Sequence, residues 1–283
     1  MSVWEIDFYR RPLQDQDGNP LWELLICDRE NTLKHLASCA QSEATADWLK
    51  QQLQKLLADG QPKPERICVF RPQSFSLLEI ATQSLGIRLE PTRHTPTLKR
   101  FLEERSLLYP TYPNHIGQPY EPVTLDKPPP MPISENLLGI QWRFASLPAG
   151  DLIAAFSDSL IPILTMPREF LPLNLGLAST VLISGVVIDG GRRSMQLARW
   201  LEKVCPVSLS YISGSPDGLI LEAGLVDRWV MATFNDAEMA IAAQTYEVRK
   251  QLGKGLHFLL IQPDDSGMTY TALWLLKQES SQN

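Results

Sequence analysis

A chain of 283 residues with 44% hydrophobic content, 26 Lys plus Arg and 32 Asp plus Glu is long enough to bury one large or two ordinary cores without disulfides or metals. Its net charge of -6 excludes a protein that coats nucleic acid by bulk electrostatics, because phosphate contacts are made by clustered Lys and Arg. Any nucleic-acid site must therefore be a local basic patch.

The pattern predicts a mixed α/β chain of two αβ regions. Residues 4–10 and 21–28 read as a hairpin around the Asp15-Gln16-Asp17-Gly18-Asn19-Pro20 turn. A helix over 43–58 carries Ala46, Leu49, Leu53, Leu56 and Leu57 on one stripe. A buried strand follows at 66–70, then a helix over 75–85 ended by Gly86, a short strand at 87–90, and a helix to Arg105 with Thr95 as its cap and Pro96 in its first turn. A hairpin followed by alternating strands and helices loosely resembles ribonuclease-H-like architecture. Residues 109–135 hold Pro110, Pro113, Pro119, Pro122, Pro128, Pro129, Pro130 and Pro132, which suits an extended connector between domains at 1–108 and 136–283. The second region opens with a strand at 139–145 and a helix near 149–156. Its core strand, 181–189, turns through Gly190-Gly191 into a helix over 192–204 whose Leu197, Trp200, Leu201 and Val204 share a face. Strands at 207–212, 219–223 and 228–234, a helix over 236–252 and a closing pair of apolar strands around Pro263-Asp264-Asp265-Ser266-Gly267 complete a mixed sheet.

Cys27, Cys39, Cys68 and Cys205 have no zinc-type spacing and read as reduced core thiols, so no metal or cofactor is implied. The longest apolar stretch, 160–177, is broken by Pro162, Pro167, Arg168, Glu169 and Pro172 and falls short of a membrane span. The first strand starts near Val3, leaving no room for a signal or transit peptide and favouring a cytoplasmic protein. Asp7 and Glu23 invite a nuclease reading, but the strand at 66–70 offers no carboxylate to join them around Mg²⁺. Asp7 then reads as a structural partner of Arg10 or Arg71. His35, His94, His115 and His257 are scattered, and His257 suits a hydrogen-bonded sheet residue. No enzyme signature is present.

Three basic groups are candidate RNA contacts. Arg192 and Arg193 follow the Gly190-Gly191 turn, where a helix start and two guanidinium groups either hold a phosphate or form a solvated helix start paired with Asp189 or Glu202. Arg88, Arg93, Lys99, Arg100 and Arg105 surround the third helix, with Phe101, Tyr109 and Tyr112 nearby. Arg10, Arg11 and Arg71 stand at the ends of two strands expected to be adjacent, beside Tyr9 and Phe70.

The segment Trp4-Glu5-Ile6-Asp7-Phe8-Tyr9-Arg10-Arg11-Pro12, the Asp227-Arg228-Trp229 strand, Gly255-Leu256-His257-Phe258 with Gln262-Pro263-Asp264, and Trp274-Leu275-Leu276 resemble the Tab/ATAB family of oxygenic phototrophs, across residues 4–276. The resemblance implies an RNA-binding, non-enzymatic protein that promotes translation of the mRNA for the photosystem I subunit PsaB and photosystem biogenesis. Its partners would be a single-stranded mRNA leader, with photosystem subunits or ribosome-associated factors beside it. It also associates Trp274, Leu275 and Leu276 with function, although Trp274 reads from the residues alone as a core side chain. Without a transit peptide, the chain is similar to a cyanobacterial, cytoplasmic member. Two rival readings stand beside it: a photosystem assembly factor working through protein contacts, and a metal-dependent nuclease.

Overall fold

The computed structural model describes residues 2–157 and 160–278 and divides into two compact units, Met1–Asp126 and Lys127–Asn283. Among the described residues the chain is a mixed α/β protein of 14 strands and six α-helices.

In the first unit, β1 (Val3–Gln14), β2 (Pro20–Asp28) and β3 (Lys34–Ala40) form an antiparallel meander. After α1 (Ala46–Ala58), β4 (Arg66–Val69) joins β1 in parallel; α2 (Pro72–Gln83), β5 (Arg88–Pro91) and α3 (Pro96–Ser106) follow. The resulting order, β3-β2-β1-β4-β5, puts α1 and α2 against Trp4, Ile6, Phe8, Leu24 and Ile26. Because side chains alternate across a strand, Glu5, Asp7 and Glu23 fall on the other face, where Leu98, Phe101 and Leu102 of α3 pack with Leu25 and Phe70.

Three local features of the first unit differ from the sequence expectation. The edge strand β3 carries Ala and Ser with Leu36 pointing outward, so it has little strand propensity of its own and forms by pairing with β2. β1 runs through Pro12 to Gln14, since the Pro12 carbonyl accepts from Ile116 and Gln14 donates to Asn114. The hydroxyl of Thr95 makes no cap bond; instead the buried Glu5 carboxylate accepts from the Leu98 amide at 2.8 Å, an N-terminal cap supplied from a strand.

The second unit contains two sheets. β6 (Met131–Pro132), β7 (Gln141–Pro148), α4 (Ala154–Ser157), β8 (Ile163–Thr165) and β9 (Leu182–Asp189) come first. Then follow α5 (Ser194–Val204), β10 (Pro206–Ile212), β11 (Asp217–Ala223), β12 (Asp227–Phe234), α6 (Ala237–Leu252), β13 (Leu256–Gln262) and β14 (Ala272–Lys277). Strand orders are β7-β9-β13-β14-β8 and β10-β11-β12-β6. The helix expected over 149–156 is reduced to the single turn of α4, because the amides of Asp151 and Leu152 both turn back to the Pro148 carbonyl.

The central strands β9 and β13 are buried on both faces, which explains their unbroken apolar runs. Gly185 is required there: a Cβ at that position would lie 2.3 Å from the Phe258 ring on the paired strand. His257, also in β13, links the sheets. Its Nε2 accepts from the Leu209 amide at 2.9 Å, so Nδ1 carries the proton and donates to the Gly255 carbonyl at 2.8 Å. The buried Lys250 and Tyr246 of α6 both donate to the Leu209 carbonyl. Burial, together with the Lys250 charge, lowers the His257 pKa from 6.5 to about 3.

An imidazole that stays neutral in the fold but charges in the unfolded chain leaves the unfolded state binding more protons between those two values, so it removes stability as pH falls. Urea unfolding should therefore show wild-type stability declining from pH 6.5 toward pH 3, with His257 supplying at most about 1.4 kcal/mol per pH unit. His257→Gln should be less stable at neutral pH and lose less on acidification; an unchanged slope would show that His257 does not titrate in this way.

Candidate nucleic-acid interface

On the α3 face of the first sheet, Asp7 and Glu23 sit on neighbouring strands, almost sealed from water. Arg11 Nη2 donates to Asp7 Oδ2 at 2.7 Å and Arg71 Nε to Asp7 Oδ1 at 2.8 Å. Arg105 Nη2 and the Tyr109 hydroxyl each donate to Glu23 at 2.6 Å. One further donor of each guanidinium reaches into the chain beyond α3: Arg11 to the Tyr120 hydroxyl, Arg105 to the Tyr112 hydroxyl, and Arg71 to the Pro122 carbonyl, at 2.7–2.8 Å. Burial raises the pKa values of Tyr109 and Tyr120, so both remain hydroxyl donors. Residues 109–126 thus form a strap over the first unit, with Val123 and Leu125 packed on Leu25 and Phe70. Both oxygens of Asp7 accept from guanidinium groups, and the residue that follows β4, one past the Ile6–Val69 pair, is Phe70 rather than a carboxylate. Among the described residues no group of three potential ligands could hold a metal ion.

This geometry revises one basic patch. Arg11 and Arg71 are buried, 3% and 4% exposed, and bind Asp7 rather than presenting charge to a phosphate. Asp7 pairs with Arg11 as well as the expected Arg71, while Arg10 points to solvent beside the Tyr9 ring at 5.7 Å. Around α3, Arg93 is buried and its carbonyl accepts from Lys99 Nζ at 2.5 Å; Lys99 also lies 5.6 Å from the Phe70 ring. Arg100 is exposed. Phe101 and Tyr109 are core residues, not stacking platforms.

In the second unit the strand β9 delivers Asp189, Gly190 and Gly191 to α5. A Cβ at Gly190 would lie 2.6 Å from the Ser194 backbone, and Gly191 has φ +56°, so both glycines are needed for the turn. Asp189 is buried and accepts from Gln141, Arg143 and Gln262 at 2.8–3.0 Å. It therefore does not pair with Arg192 or Arg193, which are both exposed. The amides of Gly190, Gly191, Arg193 and Ser194 already have carbonyl partners, so the turn offers guanidinium groups and not a backbone nest. Helical spacing adds two residues that motif reading alone passes over. Gln196, Arg199 and Lys203 recur at three and four residues in α5 and are all exposed, which places them on one outward face, and the exposed Arg192 stands in the 3-10 turn Gly191–Arg193 just before the helix. Arg193 and Trp200 lie on its flank, with Trp200 edge-to-face against Trp229 at 5.4 Å.

Trp274, Leu275 and Leu276 are 3%, 1% and 3% exposed in β14. Trp274 and Leu276 enter the core shared with α5 and α6; Leu275 enters the core on the opposite face, with Phe258. Cys27, Cys39 and Cys68 are buried, whereas Cys205 is exposed at the C-cap of α5.

The first-unit network yields a direct test. Glu23→Gln leaves Arg105 buried without a counter-charge, which costs about 3–5 kcal/mol. Glu104→Gln, at the exposed Lys34 pair, should cost less than about 1 kcal/mol. Chemical denaturation should separate the two, and chymotrypsin should cut the Glu23 variant faster after Tyr120, the strap tyrosine that no proline follows; equal behaviour would show that the network does not hold the strap.

Comparison with known proteins finds two family matches along the chain. Residues 3–105 match the family described as RNA-binding protein Tab2/Atab2 N terminal, and residues 120–277 match RNA-binding protein Tab2/Atab2, C-terminal domain. The chain is 30% identical over 284 aligned residues to the Protein TAB2 homolog, chloroplastic, of Arabidopsis thaliana, covering 98% of this chain and 74% of that protein. It is likewise 30% identical to the Zea mays Protein TAB2 homolog, chloroplastic, covering 96% of this chain and 70% of that protein. A solved HTLV-2 integrase catalytic core domain in complex with magnesium aligns over 40% of this chain and 79% of its own, at 18% identity and a TM-score of 0.24, too low to establish a common fold. With both of its units matched and near-complete coverage by two relatives, the chain belongs to the Tab2/Atab2 family of RNA-binding proteins.

Proposed function

We propose that this protein binds a single-stranded leader region of a photosystem reaction-centre mRNA, of the PsaB type, and promotes its translation, with the outward face of α5 as the phosphate contact. One observation supports the site: in a chain of net charge -6, Arg192 and Arg193 in the 3-10 turn Gly191–Arg193 and Arg199 and Lys203 in α5, which follows it, are all exposed. Asp189, the carboxylate nearest in sequence to the arginine pair, is already committed to Arg143. Cations one helical turn apart track successive phosphates, and they contribute affinity without reading sequence. Arg10 and Arg100 are the exposed cations of the first unit's candidate set and are secondary contacts in this reading; Trp274 and Leu276 serve it through the core that supports α5, and Leu275 holds the other face of the same strand.

Replacing Arg192 and Arg193 together by Gln removes exposed charge and should change stability by less than about 1 kcal/mol. Binding of leader RNA should weaken, with the slope of log affinity against log salt shrinking by roughly 0.7 for each phosphate that is no longer neutralised. Arg199→Gln with Lys203→Gln should act alike. If both double variants retain wild-type affinity and salt slope, α5 is not the RNA site, and Arg10 and Arg100 are the next cations to replace.

A further inference from the structure

Helix α6 has apolar side chains on two opposite faces. The inner face seats Ala243, Tyr246 and the stem of Lys250 in the core. Directly opposite, Ile241, Val248 and Leu252 stand in solvent, 64%, 55% and 69% exposed, with Thr245 exposed between them. Steps of four, three and four residues from 241 to 252 are those of a helix–helix seam, in which positions three and four apart alternate along one side. Full burial of a Val, Ile or Leu side chain stabilises by about 1.5–3 kcal/mol. An outward ridge of three, on a helix whose other face is already seated, is an unfilled contact.

We propose that this ridge joins two copies of the chain through an antiparallel pair of α6 helices. The four ridge positions are symmetric about the point between residues 246 and 247. A two-fold axis there sets Ile241 against Leu252 of the other copy and Thr245 against Val248 of the other copy, so the surface is self-complementary, as an isologous interface requires. Charge selects the same arrangement. Glu238 is exposed in the first turn and Lys254 is exposed just beyond the last. Lys254 gives one hydrogen bond to the Leu175 carbonyl and keeps further donors. Antiparallel pairing puts Glu238 of each copy near Lys254 of the other; parallel pairing would set like charges together. Gln244 and Gln251, exposed beside the ridge, supply an uncharged polar rim. One helix pair lies at the small end of specific interfaces, below about 1,200 Å², so the dimer dissociates on dilution.

Sedimentation equilibrium of the full chain without RNA, across the micromolar range, tests this separately from any RNA contact. The wild type should pass from monomer to dimer mass with concentration. Ile241→Lys and Val248→Lys, at exposed positions that leave the melting temperature unchanged, should each raise the dissociation constant by more than about tenfold. Glu238→Lys should weaken the dimer, and Glu238→Lys combined with Lys254→Glu should restore it. A wild-type chain that stays monomeric throughout overturns the proposal, including the case where the ridge instead binds a photosystem polypeptide. So does a dimer indifferent to Ile241→Lys and Val248→Lys, which would assemble through another surface.

Discussion

Two carboxylates on one face of the first sheet constrain the unit more than any other feature. Asp7 and Glu23 are nearly free of water, and a buried carboxylate persists in charged form only if cations and donors surround it. Those partners come from distant points of the sequence: Arg11 within β1, Arg71 at the N-cap of α2 and Arg105 in α3. Three guanidinium groups exceed two carboxylates, and three of the surplus donors are met by Tyr112, Tyr120 and the Pro122 carbonyl. The proline-rich stretch after α3 is therefore drawn onto the sheet by unsatisfied donors. Without its tyrosines the network would lack partners, and without the network the strap would have few reasons to fold.

The same arrangement decides what this face can do. A sheet of order β3-β2-β1-β4-β5 with a buried carboxylate on its first strand invites metal chemistry, yet Asp7 offers both oxygens to arginine. Arginine supplies positive charge and directional donors in fixed geometry, so the locus serves as a structural tie between sheet, helices and strap. The second unit uses a buried, uncharged imidazole and a buried lysine for a comparable purpose. There, the His257 ring, held uncharged by burial, fixes β13 to β10 while Tyr246 and Lys250 fasten α6 to the same Leu209 carbonyl. Asp189 is likewise consumed by Gln141, Arg143 and Gln262. That leaves the cations of α5 facing water without a carboxylate from the turn, and the local charge of an acidic protein becomes positive there.

Much was legible in the residues themselves. The alternation in β1 and β2, the unbroken apolar runs of β9 and β13, the stripes of α1 and α5 and the Gly190-Gly191 turn each follow from local periodicity or from a backbone position that excludes a Cβ. The exposed Arg192 and Arg193 belong to this class, and so do Arg199 and Lys203, which the 3.6-residue period places beside them. The strand β3 was not legible, because Ala, Ser and an outward Leu36 have little preference for extended structure until β2 presents its free edge. Nor were the ends of the strap, since a run of prolines reads as a connector whether or not something beneath it binds.

Sequence alone determined the order of most elements, the apolar faces and the absence of a recognisable catalytic signature, because each depends on neighbours within a few residues. The tertiary structure decided which charges are available. Arg10 and Arg11 are adjacent, yet one reaches water and the other is sealed against Asp7, since successive side chains of a strand point to opposite faces and only one of those faces lies beneath the strap. Likewise, Glu5 rather than Thr95 caps α3, because a carboxylate placed 93 positions away in sequence satisfies the helix's free amide once the sheet brings it near. Pairing between buried charges is a long-range, three-dimensional condition, and no local pattern of residues encodes its outcome.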